Sequence, residues 1–115
     1  MNTLEDLIVA RSLIENASHW CQHEERDGNR RCALAALADA ANGLTDAHAA
    51  LLVLCEALPK SFRGNAGHSM VSMAAFNDTH AHSQVVALFD RAIERQRHIG
   101  AMHTVPTVSE ELAGV

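Results

Sequence analysis

The sequence predicts an all-α fold, a compact orthogonal or antiparallel bundle of four to five helices, and three observations carry that prediction. Apolar residues make up 48% of the chain but aromatics only 3%, so much of the hydrophobic content is alanine. Alanine favours helix and lets neighbouring helices approach closely, whereas sheets draw on Val, Ile, Tyr and Thr. Apolar residues recur at helical spacing in several segments, and clusters of Gly, Asn, Asp and Pro separate those segments.

The pattern Leu4, Leu7, Ile8, Ile14 and Ala17 predicts a first helix over 4–19, capped by Thr3, with Glu5 and Asp6 in its positively polarised first turn. Trp20 and Cys21 leave it. The polar run His23 to Arg30 must turn at Asp27-Gly28, as a solvated loop or a short irregular hairpin. Arg31 to Asn42 reads as a closely surrounded central helix, with Leu34, Leu37, Ala38 and Ala41 on its apolar side and Gly43 as its stop. Thr45 and Asp46 open a third helix through Leu51, Leu52, Leu54, Cys55 and Leu58 that Pro59 ends, antiparallel to the second. Lys60 to His68, with an exposed Phe62 and Arg63, reads as a loop. A short helix over 69–76 places Met70 and Met73 as core fillers, and Asn77-Asp78-Thr79 interrupts it as a turn and cap. The last helix starts between Thr79 and Ser83 and carries the stripe Val85, Val86, Phe89, Ala92, Ile93, with Arg91, Arg95, Arg97 and His98 toward its negative end. Residues 1–98 are thus expected to form one helical domain, and 99–115 a flexible or loosely docked tail.

A formal charge of -5 with scattered basic residues disfavours nucleic acid as a partner and favours a basic protein surface. No apolar run reaches membrane-spanning length, and the acidic N-terminal stretch is no signal sequence. Three cysteines, an odd number, suit free thiols in the reducing cytoplasm; a Cys21 to Cys32 disulfide would require export by another route.

The segments Trp20-Cys21-Gln22, Arg31-Cys32-Ala33-Leu34-Ala35-Ala36-Leu37, Phe76-Asn77-Asp78 and Leu88-Phe89-Asp90-Arg91-Ala92-Ile93, in this order and spacing, resemble a family of small bacterial and phage proteins, a domain of unknown function. The resemblance spans about residues 4–95. The family usually has Gly where Ala35 or Ala36 stands, and a Thr or Ser cap followed by Glu where this chain has Ala81 to Gln84. The resemblance implies one helical domain and brings no activity with it.

Eight histidines and three cysteines raise the question of zinc, with Cys21, His23, Cys32 and His80 as the ligand set if the two loops meet, and His82 nearby. The spacing matches no zinc finger and lacks a Cys-x-x-Cys pair, so small buried thiols and surface imidazoles are the simpler reading. Cys32 behind Arg30 and Arg31 at a helix start has the setting of a nucleophile, with His80 as base and Asp78 as its orienter, but no oxyanion loop accompanies it. Asn77 and Asp78 are better explained as structural side chains capping the following helix, and Trp20 as a core anchor whose N–H needs a partner. With no catalytic residue and no cofactor assigned beyond that zinc alternative, the favoured function is a non-enzymatic module that binds, regulates or inhibits another protein. A homodimer through Leu52, Leu54 and Cys55, sensitive to pH near about 6 through its histidines, is a further expectation.

Overall fold

The first helix begins on Asn2 rather than Thr3. In the computed structural model, which describes residues 2–43, 45–62 and 69–108 and side chains as far as Ile99, helix α1 is Thr3–Ile14. The Asn2 side chain accepts the Glu5 N–H at 2.9 Å, and the Glu5 carboxylate accepts the Asn2 N–H at 3.1 Å. This reciprocal box satisfies two otherwise orphan donors, and it depends on Glu5 three residues after Asn2, where a cap on Thr3 would have the shorter Asp6. The helix stops at Ile14, short of the expected residue 19, because Asn16 turns its side chain onto the Ser18 N–H and opens a 3-10 turn, Ala17–His19. Leu7, Ala10 and Ile14 face the core, while Ile8 and Ala17, expected there, are exposed.

The polar run closes as a hairpin of β1 (Arg26–Asp27) and β2 (Arg30–Arg31), with Arg26 opposite Arg31. Gly28 supplies the positive φ that this two-residue loop needs. Both strands are tied to α2 (Ala33–Ala41) through one carboxylate. Arg26 grips Asp39 with both terminal nitrogens at 2.8 and 2.6 Å, and Arg31 Nε donates to it at 2.9 Å. The Arg26 hydrogen bond, followed by the charges of both arginines, holds the Asp39 carboxyl below the usual carboxylate range.

Helix α2 starts two residues later than expected, on a Cys32 cap whose sulfur accepts the Ala35 N–H at 3.5 Å. Six of its nine residues, including Ala36 and Leu37, are buried, as expected of an inner rod. Asn42, not Gly43, takes the left-handed turn that ends it, and Ala38 O accepts the N–H of both. The helix packs mainly on α1, and its contact with α3 (His48–Glu56) is lighter than the predicted antiparallel pairing. Helix α3 begins three residues after Thr45 and has no side-chain cap. The expected strip of Leu52, Leu54 and Cys55 does not form a single exposed face. Leu54 is fully buried and Leu52 is exposed, since residues two apart lie about 200° apart around a helix.

Phe62 ends a 3-10 turn, Lys60–Phe62, and is partly buried; it stands edge-on to Phe76 at 5.5 Å and is not exposed as predicted. The rest of the expected loop, 63–68, lies outside the described residues. Helix α4 is Ser69–Thr79, so Asn77-Asp78-Thr79 continues it as its last turn. Thr79 stays helical by donating its hydroxyl to Ala75 O at 2.7 Å. Met73 fills the core, whereas Met70 is 47% exposed. Helix α5 (His82–Val108) buries Val85, Leu88, Phe89, Ala92 and Ile93. Leu88 takes the core place predicted for Val86. This helix runs ten residues past His98, where apolar periodicity ends, and residues 109–115 lie outside the described ones. Its arginines serve a neighbour: Arg95 and Arg91 donate to the Glu56 and Ala57 carbonyls at the end of α3, at 2.9 and 3.5 Å. Arg11 on α1 meets Asp90 on α5 at 2.5 Å.

Because the Asp39 pKa is lower in the folded chain than in the unfolded one, its contribution to stability is complete above about pH 4 and disappears as pH falls through the depressed folded value. Asp39→Asn should therefore flatten the acid limb of the stability curve. Urea midpoints taken at pH 7, 4 and 3 test this, and an unchanged acid slope in the variant would refute it.

Candidate functional site

The segment between the 3-10 turn and the hairpin has no regular structure of its own, and its polar groups are met by the end of α4. Asn77, 1% exposed, is the meeting point. Its Oδ1 accepts the Trp20 indole N–H at 2.8 Å and the Ala33 N–H at 3.1 Å. Its Nδ2 donates to Cys21 O and to Asp78 Oδ1, both at 3.1 Å. Asp78 Oδ1 also accepts the His23 N–H at 2.7 Å. Gln22 completes the knot by donating to the Asn77 and His80 carbonyls at 3.1 and 2.9 Å. Trp20 finds its N–H partner in Asn77, and Asn77 and Asp78 both bond backbone groups. Their direction differs from expectation: Asn77 and Asp78 bind the segment that precedes α2 and the first N–H of α2, not the start of the helix that follows them. Gln22 was not singled out by sequence reasoning, although a side-chain amide next to a loop is a ready backbone partner.

The four residues expected to hold zinc do not come together. Among the described residues, no group of three or more His, Cys, Asp or Glu side chains is placed to hold a metal ion. Cys21 and Cys32 are buried neighbours, brought side by side where Cys21 N donates to Arg31 O at 3.2 Å. His80 is turned away from them. Its ring stacks on Phe76 at 3.9 Å, meets Phe62 edge-on at 5.1 Å, and places Nδ1 3.0 Å from Phe76 O. His23 is an exposed loop residue. His82 lies elsewhere again, with Nε2 2.6 Å from Ile14 O, which requires the proton on that nitrogen.

The same placement separates the expected nucleophile from its helpers. Cys32 sulfur is occupied in capping α2, Asp78 faces His23 and Asn77, and the His80 ring is oriented by Phe76 and Thr79. In the neighbouring Cys21, burial and then the Cys32 thiol push the thiol up.

Beside this knot lies a cleft of about 280 Å³, lined by His23, Glu24, Glu25, Cys32, Leu34, Met70, Ala74, Asn77 and Asp78. Its lining combines three acidic residues, Glu24, Glu25 and Asp78, with the apolar Leu34, Met70 and Ala74. Sequence reasoning placed Glu24 and Glu25 in a merely solvated loop and Met70 in the core. The family of unknown function DUF6197 matches residues 1–95. The chain belongs to this family. No curated protein and no solved structure matches it. The knot and the cleft both lie inside the part of the chain that DUF6197 covers.

Removing the Asn77 carboxamide leaves the Trp20 N–H, the Ala33 N–H and the Cys21 carbonyl without their partner. At about 1–3 kcal/mol for each buried group, partly relieved by entering water, Asn77→Ala should cost about 3–5 kcal/mol. Trp20→Phe leaves Asn77 Oδ1 still bonded to Ala33 and should cost less, about 1–2 kcal/mol. Chemical denaturation of both variants decides the matter, and equal losses would contradict the assignment of Asn77 as the shared node.

Proposed function

We propose that the protein is a non-enzymatic binding module of the reducing cytoplasm, which regulates another protein by receiving a basic side chain of that partner in the cleft between the hairpin and α4. One observation carries this reading: three acidic residues, Glu24, Glu25 and Asp78, line one cleft together with apolar side chains, and among the described residues no Lys or Arg lines it. An arginine or lysine side chain combines the matching parts, an apolar stem for Leu34, Met70 and Ala74 and a charged head for the acids. At about 280 Å³ the cleft lies at the bottom of the range that encloses small organic ligands and suits one long side chain. The overall charge of -5 would draw a basic surface toward it. Cys21 and Cys32, buried side by side without a disulfide, agree with a reducing compartment. Among the described residues, no helix is long and apolar enough to cross a membrane.

The probe is a short acetylated peptide with alternating Arg and Leu, titrated into isotope-labelled full-length chain and followed by amide chemical shifts. Shifts should concentrate at His23 to Glu25, Leu34 and Met70 to Asp78, and a Glu24→Lys, Glu25→Lys double variant should abolish them. Equal shifts from the same peptide with citrulline in place of arginine, or shifts scattered over the acidic surface, would count against the proposal.

A further inference from the structure

A second recess lies at the other end of α2, and its chemistry is different. It has a volume of about 340 Å³ and is lined by Asp6, Ala41, Asn42 and Asp46. Asp6 belongs to the first turn of α1 yet is only 6% exposed, and its Oδ1 is buried with no hydrogen-bond partner. An ionised carboxylate oxygen withdrawn from water without a donor is costly, and native structures relieve that cost with a hydrogen bond or a counter-charge. Among the described residues, no Lys, Arg or His lines this recess. Asp46 adds a second carboxylate, and Ala41 and Asn42 close the C-terminal end of α2, where the helix dipole is negative and the last carbonyls point outward.

We infer that this recess binds a hard divalent cation of the Ca²⁺ or Mg²⁺ class, with Asp6 and Asp46 as the anionic ligands. The donors on offer are all oxygens: two carboxylates, the Asn42 carboxamide and backbone carbonyls. That set suits a hard cation and lacks the thiolate or imidazole that selects zinc or copper. The buried Asp6 oxygen gains the positive partner that the fold itself does not provide. With only two acidic side chains, water must complete the coordination, so the affinity falls in the range of about 0.1–1 mM, where sparsely charged calcium sites lie. Of the two ions, Ca²⁺ accepts irregular geometry more readily and Mg²⁺ retains more water. The ion joins the start of α1 to the connection between α2 and α3, so its binding stabilises the folded chain.

The test is thermal unfolding of the full chain, freed of metal by chelating resin, with CaCl₂ or MgCl₂ added against NaCl of equal ionic strength. At ten times the dissociation constant, the bound ion should raise the melting temperature by about 5 °C. Asp46→Asn, at an exposed position, should remove that rise while leaving the metal-free melting temperature nearly unchanged. Asp6→Asn should remove it as well, and should raise the metal-free melting temperature because the buried charge is gone. Calorimetric titration with the same salts should give a single site that both variants lose. A melting temperature that responds no more to either divalent salt than to NaCl would overturn the proposal and leave a water molecule as the partner of Asp6. So would a rise that survives in Asp46→Asn.

Discussion

One buried carboxamide sets the geometry of half the molecule. The chain from Trp20 to Cys32 has no helix and only a two-residue hairpin, too little to order itself against the conformational entropy of a dozen residues. Asn77 supplies the missing order by taking two donors and giving two, each to a different part of that stretch or its surroundings. A hydroxyl offers one donor and a carboxylate none, so only an amide of this length meets the requirement. The consequence extends to α2, because one of the donors is the Ala33 N–H, an orphan of the helix start. The last turn of α4 and the first turn of α2 are therefore held by the same side chain, and the cleft next to them keeps its shape for that reason.

How much of this was legible in the sequence depended on the range of the interaction. Local patterns carried well. The core positions Leu7, Ile14, Leu37, Leu51 and Phe89 follow from helical periodicity, and the alanine-rich segment is buried as its composition demands. The structural reading of Trp20, Asn77 and Asp78 followed from the costs of burying an indole N–H and leaving helix ends bare. Helix boundaries carried less well. Asn2 outcompeted Thr3 as a cap because Glu5 could answer it, and Asn16 ended α1 early because its side chain reached Ser18.

Long-range pairing was not legible. Nothing between Trp20 and Asn77 in the chain announces that the two meet across 57 positions. The same gap explains the zinc expectation. Ligand chemistry favoured Cys21, His23, Cys32 and His80, but His80 follows α4 into an aromatic stack with Phe76 and Phe62, away from the cysteines. It also hid the cleft, since only the fold brings Glu24 and Glu25 to line one cavity with Leu34 and Met70. The residues that carry the family resemblance serve both ends: Asn77 and Trp20 tie the frame together, and Leu34 and Asp78 also line the cleft.

Helix α2 connects the two acidic recesses and treats them oppositely. Cys32 and Leu34 border the cleft at its N-terminal end, and Ala41 and Asn42 border the recess at its C-terminal end. The nine residues between span about 14 Å at 1.5 Å each, more than the screening length of about 8–10 Å at ordinary salt, so the two act separately. At the N-terminal end the dipole favours negative charge by about 0.3–1 kcal/mol, the sign that Glu24, Glu25 and Asp78 bring to the cleft. At the C-terminal end the same dipole opposes Asp46, and it offsets the favourable field that Asp6 receives from the first turn of α1. The first recess offers exposed acids, the setting proposed for a transient cationic partner, whereas the second holds a buried carboxylate oxygen without a donor, the setting proposed for a bound ion.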